Sequence, residues 1–213
     1  MRKIILFLSV FIITISLFFN VTTSAEGPKN YLKGKFYHTV KNHLLIASKK
    51  MNDEKFKKTV IIMLENDEEG SWGLVINKPI GKMPLALLID PDYSSQKERE
   101  KLYEIKMPIF WGGPVEQNEI FILHSKEYRS KNSVKYGDIL ISKDYKILLD
   151  IAEKKGPKNI LIILGYSGWG SGQLEGEMES DHWLLSNVDL DIVFEEESKK
   201  KWERAYKKSF IKI

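Results

Sequence analysis

The sequence predicts a single domain of the α+β class. Two observations indicate this class: short apolar segments follow one another as hairpin strands, and isolated helices interrupt them without a regular strand–helix alternation. The chain has 213 residues, of which 43% are hydrophobic, and a chain of this size suits one hydrophobic core. Because no repeat or linker rich in Pro or Ser divides residues 26–213, we expect them to form one domain.

The first 25 residues have the pattern of a secretory signal peptide. Arg2 and Lys3 precede an uncharged, mostly apolar stretch over residues 4–19, and small residues lead to Ala25. We expect cleavage after Ala25, export to the periplasm and no stable membrane insertion of the mature protein. An uncleaved anchor is the alternative, because the stretch is only slightly shorter than the roughly 17–25 residues that span a bilayer.

The composition excludes several classes of function. The chain contains no cysteine, which rules out disulfides, thiolate metal sites and a thiol nucleophile. Its formal net charge is +4, from 33 Lys and Arg against 29 Asp and Glu, and the only arginines are Arg2, Arg99, Arg129 and Arg204. Since recognition of base edges and bidentate phosphate contacts favour arginine, we expect no nucleic-acid partner.

The domain begins with three predicted strands. The first is His43–Ala47, the second covers residues 59–65 and is rich in Val and Ile, and the third covers residues 72–76. The turn-forming residues 66–70 join the second and third strands, so these two are expected to form a hairpin that ends before Pro79.

A polar helix and two further strands come next. The helix is predicted over residues 94–104, because Ser95 and Glu98 have the spacing of a capping box. The two strands cover residues 109–111 and 120–124, and a turn with two glycines and a proline lies between them.

A helix and a buried strand form the next part of the pattern. Apolar residues recur at helical spacing between Tyr145 and Ala152, and the Gly-Pro pair at residues 156–157 is expected to end this helix. Residues 160–164 are all apolar and predict a buried strand. A glycine-rich run then leads to a short acidic helix around Glu175.

The C-terminal part is predicted as a strand over residues 190–194 and a terminal helix. In this helix Trp202, Ala205 and Tyr206 share one face. The other faces carry basic residues that we expect in solvent, where they suit the helix dipole: Lys199, Lys200, Lys201, Arg204, Lys207 and Lys208. Contact of this cluster with an acidic partner or a membrane surface is the alternative.

Four segments carry a resemblance to a known family. They are DEEGSWGLVINKP at 67–79, WGGPV at 111–115, ILH at 122–124 and LGYSGWGSGQLE at 164–175. In this order they resemble the YqgE/AlgH family, also called UPF0301. The resemblance implies a bifurcated, mostly antiparallel sheet folded into a pseudo-barrel with flanking helices. It implies no established reaction, although a role as a transcriptional regulator of alginate synthesis has been attached to some members.

The chain departs from this family's pattern in several places. Lys78 stands where Arg is usual, Ser167 where Ala is usual, and His182 where a small residue is usual. A polar insert near residues 94–101 lengthens one connection. The signal peptide is the largest departure, and export argues against a direct role in transcription.

The glycine-rich run is the first candidate site. Its spacing of Gly168, Gly170 and Gly172 matches neither the dinucleotide fingerprint nor the P-loop, and acidic residues follow, so we expect no nucleotide and no other cofactor. Two interpretations stay open: the glycines allow positive φ angles and close backbone contact, or they form a pocket for a neutral ligand or peptide with the turn at residues 112–113. The family-motif positions of unknown role are Gly112, Gly113, Pro114, His124, Gly165, Gly168, Trp169, Gly170, Gly172, Gln173 and Glu175.

A serine-nucleophile pattern is incomplete. Residues 165–169 approach the G-x-S-x-G nucleophile elbow, but Trp169 replaces the final glycine that the sharp turn needs. Asp181 and His182 are adjacent in sequence, so their side chains would hardly converge on Ser167 as a base and its orienting group. We therefore assign no catalytic residue.

A metal site is also not predicted. Glu175, Glu179 and His182 have the spacing of one helical face, yet the histidine departs from the family pattern. His124, at the end of an apolar strand, is expected to be a hydrogen-bonded structural residue.

Two functions from different classes remain. The leading hypothesis is a non-enzymatic binding or regulatory interaction protein, with an unidentified protein partner or small ligand. The alternative is a hydrolase or other enzyme that uses the glycine-rich segment at residues 165–175. A pocket with Glu175 or His124 beside Trp169 would favour the enzyme, whereas a shallow surface would favour the binding protein.

Overall fold

The computed structural model describes residues 40–89 and 95–209. The predicted signal peptide, its cleavage after Ala25, the start of the domain at Glu26 and the first residue of the predicted polar helix, Ser94, lie outside these residues.

Ten strands and four α-helices occur in the described part of the chain. In chain order they are β1 (His43–Ala47), β2 (Val60–Asn66), β3 (Gly70–Val75), β4 (Pro79–Pro84), α1 (Gln96–Tyr103), β5 (Lys106–Trp111), β6 (Val115–Ser125), β7 (Ser133–Tyr136), β8 (Ile139–Ser142), α2 (Lys146–Ala152), β9 (Ile160–Gly170), α3 (Gln173–Glu179), β10 (Trp183–Asn187) and α4 (Ser198–Lys208). A 3₁₀ turn at Leu85–Leu87 and a π-helical turn at Asp191–Glu195 complete the order.

The strands form one sheet that forks at β9. Along one edge of β9, residues 160–164 pair with β6. Along the other edge, residues 162–164 pair in parallel with β5 and residues 167–170 pair antiparallel with β3. From β9 the sheet continues through β3, β2 and β1 to β10, and in the other direction through β6 and β8 to β7, while β4 pairs with β5. This arrangement confirms the predicted α+β class with a bifurcated, mostly antiparallel sheet, which curls into a half-barrel.

Helices cover both faces of the curled sheet. Leu44 of β1 belongs to the same core cluster as Ala205 of α4, whereas its neighbour Leu45 packs in a second cluster with Leu174 of α3. Successive side chains of a strand point to opposite faces, so a strand covered on both sides needs a continuous apolar run. A third cluster joins Leu102 of α1 and Ile147 of α2 to the first half of β9.

Several predicted elements are confirmed. The first strand has the predicted bounds, and β2 and β3 form the predicted hairpin. Helix α1 begins with the predicted capping box, in which the Ser95 side chain accepts the N–H of Glu98 and the Glu98 carboxylate accepts the N–H of Ser95 at 2.8 Å. The acidic helix around Glu175 and the terminal helix are also present as α3 and α4.

The strand predicted at residues 190–194 is wrong. These residues enter the π-helical turn Asp191–Glu195, and the strand of this region is β10. The Asp189 carboxylate accepts the N–H groups of Asp191 and Ile192 and so caps the turn. A short apolar run does not reveal by its periodicity whether it is extended or helical.

The predicted end of the second helix is also wrong. Helix α2 ends at Ala152, before the Gly-Pro pair, and Lys154 adopts a left-handed conformation with φ of 59°. Such a residue reverses the chain after a helix in the way that glycine commonly does.

The glycine-rich run is not a loop throughout. Strand β9 continues through Ser167 to Gly170, because β3 supplies a hydrogen-bonding partner for this second half. Only residues 171–172 separate the strand from α3.

Lys201 is not in solvent as predicted, since only 2% of it is exposed. Its Nζ donates a hydrogen bond to the carbonyl oxygen of Val193 and lies 5.9 Å from the centre of the Phe110 ring. Burial lowers the pKa of Lys201 to about 8, although the nearby negative charge of Glu196 acts in the opposite direction. The rest of the cluster is more accessible, and Arg204, for example, forms an ion pair with Glu196 at 3.1 Å.

We expect the buried ammonium of Lys201 to make stability depend on pH. The unfolded lysine keeps its ordinary value of 10.5, so between pH 8 and 10.5 the unfolded chain binds more protons than the folded one. The free energy of unfolding of the unaltered protein should therefore rise across this window, by up to roughly 3 kcal/mol. The Lys201→Met variant should lack this rise, as measured by urea denaturation at several pH values.

Lys200→Met is the matched control, because Lys200 is exposed on the same helix and pairs with Glu197 at 3.2 Å. It should follow the pH profile of the unaltered protein. Parallel profiles for Lys201→Met and the unaltered protein would contradict the assignment of a charged, buried Lys201.

Candidate functional site

The candidate site is organised by a close crossing of two backbones at the fork of the sheet. Gly112 and Gly113 follow β5 and pass against residues 165–167 of β9. A Cβ added to Gly112 would lie 2.1 Å from the carbonyl oxygen of Gly165, and one added to Gly113 would lie 2.1 Å from that of Tyr166. Neither contact is sterically possible for a real Cβ, so only glycine fits. Gly165 itself has φ of 69°, in the left-handed region that glycine favours.

Hydrogen bonds hold the crossing together. The carbonyl oxygen of Gly112 accepts the N–H of Val75 at 3.0 Å and the hydroxyl of Ser167 at 2.9 Å. The N–H of Gly112 donates to the carbonyl of Leu164 at 2.8 Å. Ser167 is only 1% exposed and lies within a strand, so its hydroxyl links β9 to the crossing rather than facing a substrate.

A bulge in β6 follows directly after the crossing. Val115 lies opposite Tyr166 and the next paired residue, Ile120, lies opposite Leu164, so residues 116–119 of β6 face a single residue of β9 and β6 has three extra residues here. Glu116 has φ of 44°, which is uncommon for a residue with a side chain. Val115 and Glu116 line one depression, while Pro114 and Gln117 line another. The bulge therefore separates two surface sites.

The larger depression has an aromatic floor, and we call it the aromatic groove. Its floor consists of Trp72, Phe121 and Tyr166, whose ring centres lie 5.7 to 6.2 Å apart in tilted or edge-to-face contacts. The groove has a volume of about 530 Å³ and is also lined by Gly168 and Trp169. Each ring comes from a different strand, so the sheet itself holds the floor in place.

The rim of the aromatic groove is acidic. The carboxylates are those of Glu65, Asp67, Glu69 and Glu116, and Lys143 is the one cation among the lining residues. Lys143 forms an ion pair with Glu119, and its Nζ lies 4.8 Å from the centre of the Phe121 ring. The groove thus already holds one ammonium group by a cation–π contact.

Two rim carboxylates also support the groove. Glu65 accepts the indole N–H of Trp72 at 2.9 Å and so fixes the orientation of that ring. Asp67 accepts the N–H groups of Glu69 at 2.9 Å and Gly70 at 3.2 Å, which holds the turn between β2 and β3. Glu69 and Glu116 also line the groove and add negative charge to its rim.

Glu177 is a structural residue that the sequence reasoning missed. Its Oε2 accepts the indole N–H groups of Trp169 at 3.0 Å and Trp183 at 2.7 Å, and its Oε1 accepts the amide of Gln173 at 3.0 Å. The signal was present, because a buried tryptophan usually needs an acceptor for its N–H. Two tryptophans flanking a short acidic helix could therefore have pointed to a carboxylate on that helix.

The structure distributes the predicted site residues over several places. Gly112, Gly113 and Gly165 form the crossing, Gly168 and Trp169 line the aromatic groove, and Pro114 lines the depression on the other side of the bulge. Gly170, Gly172 and Gln173 lie where β9 passes into α3. There the Gln173 side chain accepts the N–H of Gly170 at 3.1 Å, and Gly172 has φ of 73°. Close backbone contact thus explains the glycines at the crossing, whereas Gly168 lines the aromatic groove.

Glu175 and His124 do not lie in the aromatic groove. Glu175 is 3% exposed on α3, and His124 is fully buried beside the first residue of β9, opposite Ile160. Ile160 and Trp169 lie near opposite ends of β9. The arrangement that would favour an enzyme, with either residue lining the groove beside Trp169, is not formed there.

His124 belongs to a network of buried polar groups. Its Nδ1 lies 3.0 Å from the carbonyl oxygen of Ser125, its Nε2 lies 3.4 Å from the Ser133 hydroxyl, and its ring packs edge-on against Tyr128. Burial lowers the pKa of His124 and so favours the neutral ring. Burial and the Asp150 carboxylate, which accepts the Tyr128 hydroxyl, raise the pKa of Tyr128.

Two further observations concern the described residues. Within residues 40–89 and 95–209, no three His, Asp or Glu side chains gather in a way that could hold a metal ion. Over the same ranges, no helix combines the length and apolar character required for a membrane span.

The fold defines a class: an α+β domain with a forked, mostly antiparallel sheet. Comparison with known proteins agrees with this class. The family model DUF179, described as AlgH-like, matches residues 44–213. The chain belongs to this AlgH-like family.

Relatives of this chain come from several bacteria. A UPF0301 protein of Ruegeria pomeroyi is 39% identical over 166 residues, which cover 77% of this chain and 88% of the relative. A UPF0301 protein of Vibrio cholerae is 37% identical over 172 residues, covering 78% and 90%. The solution structure of the AlgH protein from Pseudomonas aeruginosa superposes with a TM-score of 0.65 at 32% identity, covering 82% of this chain and 90% of that one.

We expect Gly112→Ala to destabilise the protein strongly. The added methyl group would collide with the backbone of Gly165 and with Ile163, and neither strand can move without breaking the fork. The free energy of unfolding should fall by about 3 kcal/mol or more, as measured by urea denaturation.

Gly170→Ala is the matched control, because the nearest atom to a Cβ at Gly170 is the Gln173 side-chain oxygen at 4.0 Å. Its free energy of unfolding should change by less than about 1 kcal/mol. Equal effects of the two substitutions would contradict the role of the crossing.

Proposed function

We propose that this protein is a non-enzymatic binding protein with a regulatory role, and that its ligand occupies the aromatic groove. The observation that carries the proposal is the floor of three packed rings beneath an acidic rim. Aromatic faces attract cations, and desolvation by the rings strengthens the attraction of nearby carboxylates. The ligand class that fits this chemistry is an organic cation, such as the basic side chain of a peptide.

The position of Lys143 supports this ligand class. Its ammonium lies over the Phe121 ring and pairs with Glu119, as an incoming ammonium would do at the neighbouring rings of Trp72 and Tyr166. The groove is open, so a side chain of a larger partner can enter it. Ser167 and His124 are used in structural hydrogen bonds, which supports binding rather than catalysis.

The direct test is titration with a short peptide that carries one trimethyl-lysine, followed by quenching of tryptophan fluorescence and by calorimetry. We expect saturable binding, and at least fivefold weaker binding of the same peptide with a neutral tert-butyl side chain of similar size. Because the attraction is electrostatic, the affinity should fall as salt is added.

Variants of the groove sharpen this test. Glu69→Gln combined with Glu116→Gln should weaken binding at least fivefold, because the rim loses two carboxylates that make no hydrogen bond to the floor. Lys143→Met should strengthen binding, because it removes the competing ammonium. Glu179→Gln on α3 is the matched control, being an exposed carboxylate outside the groove. Equal binding of the cationic and neutral peptides would contradict the proposal.

A further inference from the structure

A second surface lies on the other side of the β6 bulge. It begins with an apolar recess of about 380 Å³, lined by Pro79, Ile80, Trp111 and Pro114, with Lys55, Lys78 and Gln117 at its edge. Ile80 is 57% exposed, which is unusual for a large apolar side chain. The recess combines the motif residues Pro79 and Pro114, which are far apart in sequence.

A second depression continues this surface. It has a volume of about 470 Å³ and shares Lys78 with the apolar recess. Its other lining residues include Met51 and Trp202 and several more lysines. We call the combined surface the lysine face, after the lysines that line it: Lys49, Lys55, Lys57, Lys58 and Lys78.

The charge of the lysine face is strongly one-sided. Glu54 is the one carboxylate among the lining residues, and it already pairs with Lys57. Within the described residues, the ammonium of Lys55 makes no ion pair. Five lysines against one carboxylate on a protein whose overall charge is only +4 mean that positive charge is concentrated here.

Several of these lysines are held in place. The Nζ of Lys78 donates to the carbonyl oxygen of Lys57 at 2.9 Å, which fixes its ammonium between the two depressions. The ammonium of Lys58 lies 5.7 Å from the centre of the Trp202 ring, and Trp202 itself is anchored by an N–H bond of 2.7 Å to the carbonyl of Ala47. Such positioned cations lose less entropy on binding than free surface lysines.

We propose that the lysine face docks an acidic segment of a protein partner, with an apolar side chain inserted beside Trp111 and Ile80. Charge complementarity identifies the occupant: carboxylates of the segment would lie over the lysines, and the concave apolar recess would take one large side chain. A nucleic acid fits less well, because the lining cations are all lysine. A membrane surface fits less well, because Ile80 is the one exposed large apolar side chain among the lining residues, and a single such side chain inserts little apolar area into a bilayer.

The proposal is tested with a fluorescein-labelled peptide of alternating glutamate and leucine, measured by fluorescence anisotropy with the full chain. We expect saturable binding that weakens with salt. A peptide with glutamine in place of glutamate should bind at least tenfold more weakly, and one with serine in place of leucine at least fivefold more weakly. Equal binding of the glutamate and glutamine peptides would overturn the proposal.

Variants locate the binding on the protein. Lys55→Gln combined with Lys78→Gln should weaken binding at least tenfold, and Ile80→Ser at least fivefold. Lys131→Gln is the matched control, since Lys131 is exposed but lines neither depression. Circular dichroism spectra and denaturation curves verify that each variant is folded. Retained affinity in the folded double lysine variant would overturn the proposal.

Three further arms exclude other occupants. Binding is also measured with vesicles of phosphatidylglycerol and phosphatidylcholine and with a short DNA duplex. If either bound more tightly than the acidic peptide, and the double lysine variant abolished this binding, the protein-partner assignment would be overturned. Self-association that the same variant abolished, seen by analytical ultracentrifugation, would replace the partner by a second copy of the chain. The Glu69→Gln, Glu116→Gln variant of the aromatic groove should bind the acidic peptide unchanged, so failure of the two sites can be distinguished.

Discussion

The close approach of Gly112 and Gly113 to residues 165–167 is the contact on which the rest of the structure depends. Any side chain at the first two positions would overlap a backbone atom of β9. Because these two backbone segments touch, β5 can leave the edge of β9 at the point where β3 begins to pair with it. The N–H of Val75 then donates to the carbonyl oxygen of Gly112. One strand thereby pairs with three neighbours along its length.

Both candidate surfaces are consequences of this contact. The chain that leaves the crossing is displaced from the normal register of β6 and regains it only at Ile120. The displaced residues face two directions, toward aromatic rings and carboxylates on one side and toward lysines and an apolar recess on the other. Oppositely charged surfaces therefore lie on either side of one short segment. Bulges of this kind commonly redirect side chains next to functional sites.

The sequence was most informative where local rules decide the structure. The capping box at Ser95, the hairpin of β2 and β3 and the amphipathic terminal helix all follow from residues close together in the chain. The sequence did not predict the structure where contacts between residues far apart in the chain determine it. Glycines that normally indicate a loop continue β9 because β3 pairs with them, and Lys201 is buried because the π-helical turn supplies a carbonyl acceptor from Val193. The aromatic groove was out of reach, since Trp72, Phe121 and Tyr166 meet only after three strands have paired.

The position of β9 in the chain has a consequence for how the protein folds. All three of its neighbours, β3, β5 and β6, precede it, and β9 begins only at Ile160. Until that residue is available, the earlier strands have no shared centre on which to assemble, and the pairing of β1 with β10 closes an even longer loop. Contacts between residues so far apart in sequence slow folding. A chain that is still being synthesised would therefore stay in an open, incompletely assembled form until most of its length had emerged.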